Sequence, residues 1–141
     1  MKENVGVSPL SVFILRLTLS GIFINAGLAH LFRSEQTVAR LQQSPFSVWL
    51  ESMLSLHTQV VTSGYALLLF GLLFLAGIAV RWSALALFLL LIPITVFIQM
   101  QGGLLHGPLW KNVALAGGLL FFMLNAPTVY SLLPAQTKKH E

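Results

Sequence analysis

Residues 60–100 read VVTSGYALLLFGLLFLAGIAVRWSALALFLLLIPITVFIQM, and Arg81 is the only charged side chain among them. One helix of this length would reach about 60 Å at 1.5 Å per residue, twice the roughly 30 Å of hydrocarbon in a bilayer. The stretch therefore has to double back. Gly77 suits the left-handed position that ends a helix, Arg81 and Trp82 suit the headgroup layer, and Ser83 is placed to cap the returning helix. The result is a hairpin of two membrane spans, about 60–79 and 83–100. Pro93 falls inside the second, has no N–H to give, and is expected to kink it and free the carbonyl of Leu89.

Working outward, a first span covers about 10–32, opened by Ser8 as N-cap and Pro9 at the first helical position. Its apolar run exceeds the h-region of a cleaved signal peptide and contains Arg16, so it reads as a retained span. A fourth begins after the breakers Gly102, Gly103, Gly107 and Pro108 and runs over about 110–133, with Asn125 and Pro127 interrupting its far end. The long connection from Arg33 to Leu56 holds Ser44-Pro45 followed by Phe46, Trp49, Leu50 and Met53 at helical spacing. This predicts a short helix lying in the membrane interface, or an ordinary surface helix covering the end of the bundle.

Composition agrees. Only 9% of the chain is charged, against about a quarter in soluble domains, too little to cover a water-facing surface. The expectation is one all-α domain over 1–141, a polytopic membrane four-helix bundle with a short interfacial helix in the first loop. With no cysteine, disulfides, thiolate metal sites and thiol relays are excluded. The net charge of +4 does not point to nucleic acid, because the eight Lys and Arg are scattered at segment ends rather than gathered on one face. Four crossings place both termini beside Arg81. Lys2, Arg81, Lys138 and Lys139 then oppose Arg33, Arg40 and Lys111, a bias toward cytoplasmic termini in a cell inner membrane.

Arg16 is the one charge well inside a span, and no Asp or Glu lies in any span to pair with it. It either snorkels to the headgroups, bonds structurally, or contacts an anionic or quinone-like ligand. At 100° per residue Arg16, Ser20, Phe23, Gly27 and His30 share one face of the first span, while Thr18, Gly21, Asn25 and Ala29 share the other. Small and polar residues favour helix contact, so the second face, with Gly21 and Asn25, is expected to pack. Gly64 and Gly71 in span two and Ala114, Gly118 and Asn125 in span four are read as packing positions for the same reason. His30, His57 and His106 reach one membrane surface, where imidazoles can gather a metal or haem, although their separations carry no ligand spacing; the expectation is no metal. No phosphate loop, nucleophile elbow or HExxH pattern occurs, so no catalytic residue is assigned.

Three segments resemble the DoxX family of small four-helix membrane proteins: Leu15-Arg16-Leu17 with Gly21, Gly27 and His30-Leu31; Gly77 then Arg81; and Leu109-Trp110-Lys111-Asn112-Val113-Ala114-Leu115-Ala116-Gly117-Gly118. The aromatic-Lys-Asn entry to a small-residue helix is the most specific. Many members carry a glutamate near the place of Leu67, which departs from that pattern and leaves Arg16 without the partner it would supply. The resemblance implies association with membrane redox systems, since members include a subunit of a thiosulfate:quinone oxidoreductase. The expectation is a membrane subunit or accessory factor of a quinone-linked oxidoreductase, with quinone as cofactor, an oxidoreductase subunit as partner, and Arg16, His30, Lys111 and Asn112 as ligand or partner contacts. The alternatives are a small-solute or lipid permease, in either case open to homo-oligomerisation, and a structural assembly factor.

Overall fold

The computed structural model describes residues 6–127 and 129–132. It contains six α-helices and, among the described residues, no strand: α1 (Pro9–Phe32), α2 (Ser34–Gln42), α3 (Ser47–Met53), α4 (Leu56–Ala76), α5 (Val80–Ile94) and α6 (Gly107–Asn125). A π-helical segment, Thr95–Gln99, and a 3₁₀ turn, Met100–Gly102, extend α5. Four helical stretches are long and apolar enough to cross a membrane: α1, α4, α5 with its extension to Gly102, and α6. They neighbour one another in the order α1, α4, α5, α6, with only a slender contact between α6 and α1.

The hairpin forms where the sequence placed it. Gly77 adopts φ 75°, and the N–H groups of Gly77 and Ile78 return to the carbonyls of Phe74 and Leu73, the double bond that satisfies the last open carbonyls of a helix. Ser83 does not cap α5, which begins three residues earlier at Val80. Its Oγ instead donates back to the carbonyls of Ile78 and Ala79, because a hydroxyl inside a helix competes for the preceding turn. After Pro93 the α-helical ladder gives way to the π segment within two residues, as expected where a missing N–H breaks the register. Span four is shorter than expected. α6 stops at Asn125, where Ala126 takes a left-handed φ of 39°. The expected tail to residue 133 passes into turn at Val129–Tyr130, and residues beyond 132 lie outside the described ones.

The first connection holds two helices rather than one. α3 starts at Ser47, after a turn in which the Ser44 carbonyl accepts the Ser47 N–H, so Pro45 is not its first residue. α2 went unpredicted. Both are held by a satellite core of Leu41, Leu50, Leu56 and Val60, against which Val38, Phe97 and Ile98 pack. α3 thus covers the bundle end with Leu50 while Val48 and Met53 face outward.

The main core joins Leu19, Phe23, Leu67, Phe74, Ala84, Leu87, Leu119 and Phe122. α1 packs most extensively on α4, and glycine sets how closely. A Cβ on Gly27 would stand 2.9 Å from the Gly64 carbonyl oxygen, and one on Gly64 2.9 Å from the His30 Cβ. Gly71 lies against Ile24, and Gly118 lies under Leu19 at the α1–α6 contact. The packing face of α1 is therefore the one carrying Arg16, Ser20, Phe23 and Gly27, not the one expected. Gly21 has nothing nearby and faces outward. Thr18 on that side bonds only the carbonyls of its own helix, so it needs no partner. Ala114 and Asn125 are exposed as well, Asn125 donating to its own helix at Phe121.

Candidate functional site

Arg16 is fully buried, at 0% exposure, and its guanidinium is turned onto the protein's own backbone. Its Nη1 and Nη2 donate to the carbonyls of Val129 and Tyr130 at 2.9 and 2.8 Å, and Phe13 lies against both the guanidinium and the Tyr130 ring. An arginine in hydrocarbon needs acceptors, and without a carboxylate it takes the carbonyls of the segment after α6. Arg81 acts similarly at the same end, donating to the carbonyls of Met123 and Leu124 that α6 leaves open at its C-terminus.

The other sequence-picked residues meet at the opposite end. α1 and α6 touch where Leu19 rests on Gly118, and nearer the loops a cavity of about 270 Å³ lies between them. Phe23, Ala26, Asn25 and His30 of α1, Thr37 and Arg40 of α2, Leu67 of α4, Leu91 and Ile94 of α5, Ile98 and Gln99 of the π segment, and Lys111, Asn112 and Leu115 of α6 line it. Asn25 is therefore a cavity residue, not a packing one. A neighbouring apolar cavity of about 200 Å³ shares His30, Thr37, Ile94 and Ile98 and extends to Leu41, Leu50 and Phe97. Together the two fall within the roughly 300–1,000 Å³ of small-molecule sites. Toward the loops the space widens into a mouth lined by Arg40, Gln43, Gln99, Gln101, His106 and Lys111. Among the described residues no carboxylate lines any of the three.

Two polar side chains in this funnel are held in fixed roles. His30 Nδ1 lies 2.8 Å from Ser63 Oγ, which donates its one proton to the Val60 carbonyl at 2.7 Å. With the Ser63 proton on that carbonyl the hydroxyl accepts from the ring, and in that tautomer Nδ1 carries the proton and Nε2 keeps a lone pair, on a side chain that lines both inner cavities. Asn112, 4% exposed, donates through Nδ2 to Thr95 Oγ1 at 3.0 Å, and Thr95 in turn donates to the Leu91 carbonyl. That leaves the second amide N–H and the amide oxygen of Asn112 for a ligand. The π segment positions Thr95 and Gln99 here, and such segments recur at functional sites.

His57 is exposed on the first turn of α4 and lines none of these spaces. His30, His57 and His106 do not converge, and no group of three metal-ligating side chains occurs among the described residues. Sequence reasoning missed Arg40, Thr37, Gln99 and Ser63. Only Arg40 carried a signal: Glu35 lies five positions before it and Gln36 four, so its helix offers no acid at the spacing that pairs.

The DoxX family model matches residues 11–100. The chain belongs to the DoxX family. The match spans α1 to the π segment and so takes in His30, Arg40 and Gln99, while α6 with Lys111 and Asn112 lies beyond it. No curated protein and no solved structure gives a significant match. Family and fold together make this DoxX chain a multi-pass integral membrane protein in contact with lipid.

Proposed function

We propose that this DoxX protein is the membrane subunit or accessory factor of a quinone-linked oxidoreductase system, seated in the inner membrane with cytoplasmic termini, and that its funnel receives the quinone. The observation behind this reading is the funnel itself, an apolar interior closed by a few polar groups of fixed direction. A flat ring with oxygen at each end and an apolar tail matches it. His30 Nε2 would accept from a hydroxyl of the quinol form and the free Asn112 N–H would donate to a carbonyl of the quinone form, while Phe23, Leu67, Leu91 and Leu115 line the cavity that would hold the ring. When bound, a quinone supplies the electron-carrying chemistry that the side chains here lack. The chain's own part is to hold and orient it and to offer one proton acceptor. Electron transfer then belongs to a partner oxidoreductase.

Binding of a short-chain quinone and its quinol to the protein in mild detergent tests this directly. Micromolar binding is expected, weakened about tenfold or more by Leu115→Trp, which fills the inner cavity. Recovery of the protein without a redox partner, with lipid extracts free of quinone and no binding of either form, would remove the proposal.

A further inference from the structure

The mouth of the funnel poses a separate problem, which does not depend on what fills the inner cavities. Arg40 comes from α2 and Lys111 from the start of the second turn of α6, and both line the mouth and the 270 Å³ cavity beneath it. Both side chains are exposed, and two like charges that share one space repel each other, a cost that an anion between them offsets. No carboxylate lines either space, and among the described residues neither side chain donates a hydrogen bond to the protein, whereas Arg16 and Arg81 at the other end both do. Gln43, Gln99 and Gln101 add neutral hydrogen-bonding groups around the same opening.

We propose that the mouth binds the phosphate of an anionic phospholipid, with Arg40 and Lys111 as its paired cations. An anion alone would be satisfied by a free phosphate ion as well. The surroundings favour a lipid. Leu104, Leu105 and Trp110 are all exposed beside the mouth, Leu105 at 99%, and Trp110 is fixed there by its Nε1 donating to the Leu104 carbonyl. Such a rim belongs against acyl chains, and behind the cations the wall turns apolar at Ile98, Leu115 and Phe23. The headgroup thus meets charge about one helical turn inside the entry to α6, at the end of a span where a headgroup layer is expected.

Trp110 reports on the site. In the full chain carrying Trp49→Phe and Trp82→Phe, reconstituted in phosphatidylcholine vesicles, brominated phosphatidylglycerol is expected to quench Trp110 at lower mole fraction than brominated phosphatidylcholine. The expected preference is about fivefold for each cation, the equivalent of about 1 kcal/mol per basic residue near anionic lipid. Arg40→Gln and Lys111→Gln each reduce it and the pair abolishes it, while Arg33→Gln, an exposed cation at the same end that lines none of these spaces, leaves it unchanged. Raising salt to 0.5 M lowers the preference in the unaltered site, an arm that needs no charge variant. Equal quenching by the two lipids, an equal effect of Arg33→Gln, or indifference to salt overturns the proposal. Abolition of the preference by 10 mM inorganic phosphate also overturns it, in favour of a free anion.

Discussion

The two ends of the bundle treat their cations in opposite ways. At the end where α1 begins and α6 finishes, Arg16 and Arg81 donate to backbone carbonyls, only the Arg16 Nε being buried without a partner among the described residues, and Phe13 packs against Arg16 and Tyr130. At the loop end, Arg40 and Lys111 flank open volume. The same residue types therefore do structural work in one place and stand available in the other. What separates the two ends is the supply of acceptors: the C-terminus of α6 and the turn after it provide open carbonyls, and the sides of α2 and α6 do not.

The comparison breaks most severely at Arg16. Arg16→Leu removes two charge-assisted hydrogen bonds and leaves the carbonyls of Val129 and Tyr130 without these donors, a loss on the order of 3 kcal/mol. Thermal unfolding in detergent is expected to show a large fall in midpoint, and proteolysis should cut near Val129, while quinone and lipid binding at the opposite end per folded molecule stay unchanged. Lost binding in folded protein would return Arg16 to the ligand contacts first expected of it.

Gly64→Val comes next. Its side chain must push against His30 and the Gly27 carbonyl, and overpacking of this kind costs about 1–3 kcal/mol. The same change also displaces His30, so stability and ligand binding are expected to fall together. Gly21→Ala, on the outward face of the same helix, is expected to leave both unchanged within about 0.5 kcal/mol; a larger loss there would restore the face that the sequence favoured.

The spans were legible because they rest on length and hydropathy, which no tertiary contact has to supply. Gly77 and Arg81 marked the hairpin for the same reason. The faces were harder. Both sides of α1 carry small and polar residues, and helical arithmetic cannot rank them, but Thr18 can satisfy itself within its own helix and Arg16 cannot. α2 was invisible because Val38 and Leu41 are almost its only core-facing apolar residues, and it owes its place to α3, α4 and the π segment. At the candidate site His30, Lys111 and Asn112 were picked from residue type and position. Their convergence with Arg40 depends on the gap between α1 and α6, which no local pattern encodes.

Finer changes sharpen the loop end. His30→Phe keeps an aromatic ring of similar size but removes the lone pair, so quinol binding should weaken by about 1 kcal/mol, or some fivefold, with little change in unfolding midpoint. Equal binding by parent and variant would show that Nε2 is not an acceptor for the ligand. A small effect is also expected at the tail end: Arg81 is exposed, and Arg81→Gln should lower stability by no more than about 1 kcal/mol in the same unfolding assay.

The bond from Arg16 to Val129 joins residues 113 positions apart. At roughly 5–20 residues per second, the ribosome takes about 6–23 s to deliver the acceptors after the arginine has been made. For that interval the guanidinium lacks these two acceptors, and its burial as seen here waits on residues 129 and 130. A nascent chain halted at Pro127 is therefore expected to leave Arg16 reachable by a water-soluble arginine reagent, and one extended past Tyr130 to shield it.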